Sequence, residues 1–128
     1  MNWEEEKALN ERVALALGWK KMRVGWWIAP ATSRWRGGQG GPVDFISNPA
    51  AADEVRLEAE RRDWEWAMGR EDSLCPGRGW WASVEVPGTP GNDDVRITES
   101  SSLSPWHALC LAFLATCEAQ AAEAPETE

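Results

Sequence analysis

The segment Ser104–Cys117, SPWHALCLAFLATC, decides the fold of this 128-residue chain. Ser104 is a favourable N-cap, and Pro105 follows at a first-turn position where its missing N–H costs nothing. Apolar residues then occupy nearly every side of the helix as far as Cys117. Because a helix that is apolar all round must be buried, we predict a central helix on which the rest of the chain packs. We interpret Cys110 and Cys117, which share one face of it, as small buried hydrophobes.

Two amphipathic helices are predicted nearer the N-terminus. The first spans about residues 5–17 and ends at Gly18, a suitable C-cap. The second begins at Ser47-Asn48-Pro49 and runs to about Arg62. Their predicted buried stripes are Leu9, Val13, Ala16 and Leu17 in the first helix and Ala52, Val55 and Ala59 in the second.

Alternating patterns predict four strands, over residues 20–29, 63–68, 80–86 and 95–98. Residues 63–68 are assigned to a strand because Trp64 and Trp66 would lie about 200° apart on a helix and could not share a face. In residues 20–29, the alternation places Met22, Val24, Trp26 and Ile28 on the core face and Lys21, Arg23, Trp27 and Ala29 on the other.

The order of elements predicts a single α+β domain over residues 1–117. It is a layered sandwich, in which a mainly antiparallel sheet of about four strands packs with three helices. Residues 118–128 hold four glutamates and no base, so we predict that they form an acidic, disordered tail.

The composition excludes some function classes. A formal charge of −8 disfavours a general nucleic-acid binder, because such proteins need a basic domain. The longest apolar run, residues 108–115, is too short to span a bilayer, so no membrane partner is expected. Ten tryptophans exceed what the core of such a domain needs. We therefore expect some to be half-exposed in a groove or in a homo-oligomer interface.

The stretch Arg23–Gly41, RVGWWIAPATSRWRGGQGG, combines three tryptophans and three arginines with no acidic residue. Arginine binds phosphate through paired N–H groups, and tryptophan offers a stacking plane for a base. The predicted ligand-binding residues are Lys21, Arg23 and Trp27 on the strand and Arg34, Trp35 and Arg36 on the following loop. They would hold a nucleotide-like or other anionic small molecule. The alternative is that Trp27 packs beneath a helix and the arginines keep the loop soluble.

Catalytic and metal chemistry have little support in the sequence. The single histidine, His107, lies in the first turn of the buried helix, where a capping or packing role is favoured over a catalytic one. The cysteines and this histidine lack metal-ligand spacing. We therefore predict no catalytic residues, no metal and no cofactor.

Three parts of the sequence together resemble the phage ABA sandwich domain of small bacteriophage proteins. The first is LALGW at residues 15–19, and the second is SNPAAADEV at residues 47–55. The third is the closing helix, which matches the family pattern at Ser104, Pro105, Ala108, Leu109, Cys110, Ala112 and Leu114. The likeness covers most of residues 9–117. It implies a phage accessory protein in the cytoplasm of an infected bacterium, without catalytic residues.

Two functions are therefore predicted. The first is a non-enzymatic binder that sequesters an anionic small molecule, such as a host defence signal, through the Trp/Arg patch. The alternative is a protein-interaction module that inhibits a host protein through its acidic, Trp-rich surface.

Overall fold

The computed structural model describes residues 3–31, 33, 38–39, 44–46, 48–70, 79–88, 91, 93–101 and 104–123. All three predicted helices are present, and the strands form two sheets. The helices are α1 (Trp3–Ala16), α2 (Pro49–Arg61) and α3 (Pro105–Glu123). The strands are β1 (Lys20–Lys21), β2 (Trp26–Ile28), β3 (Gly38–Gln39), β4 (Glu65–Arg70), β5 (Trp80–Val86) and β6 (Val95–Ser101).

The closing helix α3 is the centre of the molecule, as its sequence predicts. The hydroxyl oxygen of Ser104 accepts a hydrogen bond from the backbone N–H of His107 at 3.0 Å and so caps the helix. The helix packs on β5 and β6 on one side and on α1 and α2 on the other. Residues 118–123, predicted to lie in the acidic tail, are instead part of α3, because this helix continues to Glu123. Residues 124–128 lie outside the described part of the chain.

One end of each N-terminal helix is fixed by a local capping interaction or backbone conformation. Gly18 follows α1 with a φ of +94°, which a residue with a side chain adopts only with strain. The side-chain oxygen of Asn48 accepts a hydrogen bond from the N–H of Ala50 at 3.0 Å at the start of α2. The predicted buried stripe of α2 is confirmed, since Ala52, Val55 and Ala59 are fully buried.

The strands divide between two antiparallel sheets of three strands each, in the orders β1-β2-β3 and β4-β5-β6. The layered α+β class is confirmed, whereas a single sheet of about four strands is not observed. In the second sheet, Ala82 and Val84 of β5 are fully buried beneath α3. Residues 83 and 85 therefore point to the opposite face of that sheet.

Residues 20–29 form a hairpin, so the prediction of one continuous strand was wrong. A short 3₁₀ turn, Arg23–Gly25, separates β1 from β2, and Gly25 has a φ of +79°. The backbone N–H of Met22 donates to the carbonyl oxygen of Trp26 at 2.6 Å and closes the reversal. A turn breaks the period-2 pattern, so the two halves no longer share one alternation.

The predicted faces of this segment are also reversed. Trp27 is 1% exposed and lies in the main core with Trp19 and Phe45, whereas Trp26 and Ile28 are each 49% exposed. The rings of Trp19 and Phe45 meet edge to face at 5.9 Å, which is a favourable aromatic arrangement. The core therefore selects Trp27, and the neighbouring indole is left at the surface.

Candidate interaction site

Three of the six ligand-binding residues predicted from the Trp/Arg stretch, Lys21, Arg23 and Trp27, lie in the part of the chain that the structure describes. Trp27 offers no exposed ring face to a base, because its side chain is buried. Lys21 lies with its Nζ 5.7 Å from the Trp27 ring centroid and 3.6 Å from the carboxylate of Glu11. Arg23 is exposed at the tip of the hairpin. The other three predicted residues, Arg34, Trp35 and Arg36, lie outside the described residues.

A different concave surface lies against the second sheet. It is a cleft of about 370 Å³ and is here named the acidic cleft. Its lining contains three glutamates and one arginine. The lining residues are Glu60, Trp64, Glu65, Trp66, Ala67, Ser83, Glu85 and Arg96.

The pairing of β4, β5 and β6 creates most of this lining. In the register of the sheet, Glu65 lies opposite Glu85, and Glu85 lies opposite Arg96. Ala67 lies opposite Ser83 in the same way, and small side chains at these two positions leave room for a cavity. Ser83 is only 4% exposed and so lies at the bottom of the cleft.

The C-terminal end of α2 supplies the remaining carboxylate. The Oε2 atom of Glu60 accepts hydrogen bonds from the Trp66 indole N–H and from Arg56, each at 2.8 Å. These two donors, the indole first, lower the pKa of Glu60 below its usual value. Glu60 is therefore a fixed anion at one end of the cleft at neutral pH.

The other two glutamates, Glu65 and Glu85, differ in the charge and hydrogen-bond partners of their carboxylates. Glu85 forms an ion pair with Arg96 at 3.2 Å. A hydrogen bond shared with Asp94 raises the pKa of Glu85. Asp94 itself accepts from the backbone N–H of Gly88 at 2.6 Å, which is the main reason that its pKa is lowered. Glu65 is exposed and makes no hydrogen bond or ion pair with any other residue that the structure describes.

One pair in the structure has the residue types of a catalytic dyad. The Ser101 hydroxyl and the Nδ1 atom of His107 are 2.5 Å apart. Both side chains are buried, at 8% and 5% exposure, and burial lowers the pKa of His107. The pair therefore lies in the interior of the protein, where packing is the role predicted for His107.

The cysteines differ in burial. Cys110 is fully buried, which raises the pKa of its thiol to about 12 and agrees with a purely packing role. Cys117 is half-buried, and its Sγ atom lies 3.4 Å from a guanidinium nitrogen of Arg62. Across the described ranges, no group of three or more His, Cys, Asp or Glu side chains is arranged to hold a metal ion.

None of the helices in the part of the chain that the structure describes has the length and hydropathy needed to cross a membrane. No protein-family model, curated protein or solved structure matches the chain.

Sequence reasoning missed the acidic cleft, although part of the signal was present. The alternation already placed Glu65 and Ala67 on one face of β4, and Ser83 and Glu85 on one face of β5. Pairing these two strands in register would have brought both glutamates together. The position of Glu60 depends on how α2 packs, which no local pattern contains.

Proposed function

We propose that this chain is a non-enzymatic protein-interaction module whose acidic cleft binds a basic segment of a partner protein. One observation supports the proposal most directly. Glu60, Glu65 and Glu85 border one cleft of about 370 Å³, in which Arg96 is the single cationic lining residue of the described chain. This is the second of the two functions predicted from the sequence, and the geometry favours it over the first.

The cleft suits a lysine or arginine side chain in particular. Such side chains pack their aliphatic stems on apolar surface while the charged head group stays polar. Ala67, Trp64 and Trp66 provide apolar lining, and Glu65 provides a carboxylate that makes no hydrogen bond or ion pair with the other described residues. The formal charge of −8 on the whole chain further favours approach of a cation.

The identity of the partner follows from the resemblance and is part of the proposal. If the chain is a phage accessory protein, its partner is a host protein in the cytoplasm of the infected bacterium, and the module acts by inhibiting that protein. The alternative function, capture of a nucleotide-like anion, now depends on Arg34, Trp35 and Arg36. Calorimetry with a panel of linear and cyclic nucleotides tests it separately.

The proposal is tested by titrating hexalysine amide into the protein and measuring the heat of binding. We expect binding that weakens as salt is added, because the attraction is electrostatic and screened. Glu65→Gln should weaken it by about twofold to fivefold, the usual range for one exposed charge pair. Glu4→Gln is the matched control, since it removes the same charge from an exposed position in the first turn of α1. It should leave the affinity unchanged.

The pH dependence gives a second readout. Because the pKa of Glu85 is raised, this carboxylate is still partly protonated at pH values where an ordinary glutamate is ionised. The affinity for hexalysine should therefore increase with pH through this acidic range, as Glu85 ionises. Equal weakening by Glu65→Gln and Glu4→Gln, or no heat at low salt, would contradict the proposed function.

A further inference from the structure

The hairpin formed by β1 and β2 carries an exposed apolar surface. Its members are Met22, Trp26 and Ile28, each 49% exposed, and they are here named the hairpin face. They are three of the four large exposed hydrophobic side chains in the described chain. A cluster of this kind on a highly charged protein indicates a contact surface.

The register of the hairpin explains why these side chains lie together. Directly opposed residues of an antiparallel pair point to the same side of the sheet. Lys21 lies opposite the buried Trp27, so this side faces the core, whereas Lys20 lies opposite Ile28 and faces solvent. The exposed Lys20 therefore lies on the same side as the hairpin face, and the exposed Arg23 lies in the turn that joins the two strands.

The charges around the hairpin face restrict what can cover it. A symmetric dimer through this face would bring Lys20 and Arg23 of one copy close to the same cations of the other, and like charges at an interface are unfavourable. The matching surface is acidic and has room for large side chains. The acidic cleft on the second sheet of the same chain has both properties.

We propose that the hairpin face is covered by a second copy of this chain, with the hairpin of one copy docked in the acidic cleft of the next. Lys20 and Arg23 then meet Glu65 and Glu85, and the Trp26 indole enters the cleft. The inference rests on the proposed function, because it names a basic segment that the cleft binds. The contact is heterologous, so each copy keeps one unused surface and assembly proceeds head to tail.

The hairpin and the acidic cleft belong to different sheets of the chain. The hairpin is held in place by the pairing of β1 with β2 and by the burial of Trp27 in the core. Most of the acidic cleft's lining lies on the face of the other sheet opposite α3, whereas Trp66 lies opposite Val84 and so shares the α3 side. We therefore assign the docking to a second molecule.

The test uses two charge-reversed variants and sedimentation velocity. Lys20→Glu/Arg23→Glu impairs the hairpin, and Glu65→Lys impairs the cleft. The wild-type protein should increase in average mass with concentration, and this increase should be suppressed by salt. Each variant alone should stay monomeric, with self-association weakened by at least about tenfold, because like charges now face each other.

A mixture of the two variants gives the decisive readout. Each retains one intact surface, so an equimolar mixture should recover association between one copy of each variant, at concentrations where each variant alone stays monomeric. A mixture that stays monomeric, or a wild-type dimer that Glu65→Lys leaves unchanged, would overturn the head-to-tail contact. Wild-type protein that stays monomeric up to about 1 mM, the weak end of useful affinities, would overturn self-association.

A lipid surface is the competing occupant, and one control addresses it. Wild-type protein is mixed with vesicles of phosphatidylcholine and phosphatidylserine. Binding that Trp26→Ala abolishes, in protein that stays monomeric without vesicles, would assign the hairpin face to lipid and overturn the inference. The proposed function is judged independently, because hexalysine binding is measured in the Lys20→Glu/Arg23→Glu variant, whose cleft is intact.

Discussion

The two adjacent tryptophans of β2 should differ strongly in their contributions to stability. A fully buried aromatic side chain removes about 150–250 Å² from water, which at about 25 cal/mol per Å² corresponds to about 4–6 kcal/mol. Trp27 is 1% exposed, so Trp27→Ala also leaves a cavity, and such substitutions cost about 3–5 kcal/mol. Trp26 is 49% exposed, so folding buries only about half as much of its surface, and its removal leaves no cavity. Trp26→Ala should cost at most about 2–3 kcal/mol.

The difference is measured by urea denaturation followed by far-ultraviolet circular dichroism. This signal is preferable to fluorescence, because both variants remove an indole. Dilute protein keeps any self-association through Trp26 from adding to the apparent stability. The midpoint for Trp27→Ala should fall well below that of Trp26→Ala. If Trp27→Ala does not fold, Trp27→Phe and Trp26→Phe give the same comparison with a smaller change in volume.

The outcome distinguishes the observed hairpin from a continuous strand. In a continuous strand over residues 20–29, Trp26 faces the core and Trp26→Ala is the more damaging substitution. Equal losses for the two variants, or a larger loss for Trp26→Ala, would refute the assignment of faces. A change in the denaturant dependence as well as in the midpoint would indicate an altered unfolded state, and the comparison would then be made by calorimetry.

Three further predictions concern the core and its supports. The side-chain oxygen of Asn10 accepts hydrogen bonds from the backbone N–H groups of Phe45 and Ile46, at 2.8 and 3.2 Å. Asn10→Ala should therefore lower the free energy of unfolding, measured in urea, by about 1–3 kcal/mol. An unchanged free energy of unfolding would mean that water replaces the lost acceptor. Gly69→Ala places a Cβ 3.0 Å from the Trp81 ring and should destabilise by about 1–3 kcal/mol, with a shifted near-ultraviolet dichroism signal that an unstrained site would not show. Burial lowers the pKa of His107 in the folded protein. Its contribution to stability is therefore complete above pH about 6.5, the ordinary pKa of histidine, and is lost as the pH falls toward the lower pKa of the folded state. His107→Asn should flatten this part of the stability curve, and an unchanged slope would place the proton uptake elsewhere.

The helices could be predicted because the signals that start, end and bury each one lie within its own sequence. Ser104 and Pro105 determine where α3 begins, and the apolar run behind them requires burial wherever the helix lies. Asn48 and Gly18 mark helix ends by local hydrogen bonding and backbone conformation. These signals involve neighbours in sequence, so they do not depend on the tertiary structure.

The hairpin could not be predicted in this way, because a chain reversal changes which residues of an alternating pattern face the core. Lys21 and Trp27 belong to opposite strands but face the same side, since the 3₁₀ turn at Arg23–Gly25 lies between them. The pattern in residues 20–29 fits a continuous strand equally well. What selects Trp27 is burial in the core cluster that also contains Trp19 and Phe45, and only the packed structure defines that cluster.

The acidic cleft could be predicted only in part from the sequence. Glu65 and Glu85 follow from strand alternation together with the β4–β5 register. Glu60 reaches the cleft because α2 ends beside β4 and the Trp66 indole donates to its carboxylate. In the sequence, these glutamates are indistinguishable from acidic residues on any solvated surface.

If both proposals hold, self-association and partner binding compete for the same cleft. A copy docked through its hairpin occupies the carboxylates that a basic partner segment needs. The apparent dissociation constant for the partner then increases in proportion to one plus the ratio of the free protein concentration to the dissociation constant of the head-to-tail contact. Hexalysine should therefore bind more weakly at high protein concentration in the wild type, and equally well at all concentrations in Lys20→Glu/Arg23→Glu. Sedimentation with added hexalysine should show the same linkage in reverse, with head-to-tail species dissociating to monomers. A hexalysine affinity that is independent of concentration, in protein that does self-associate, would mean that the two contacts use different surfaces.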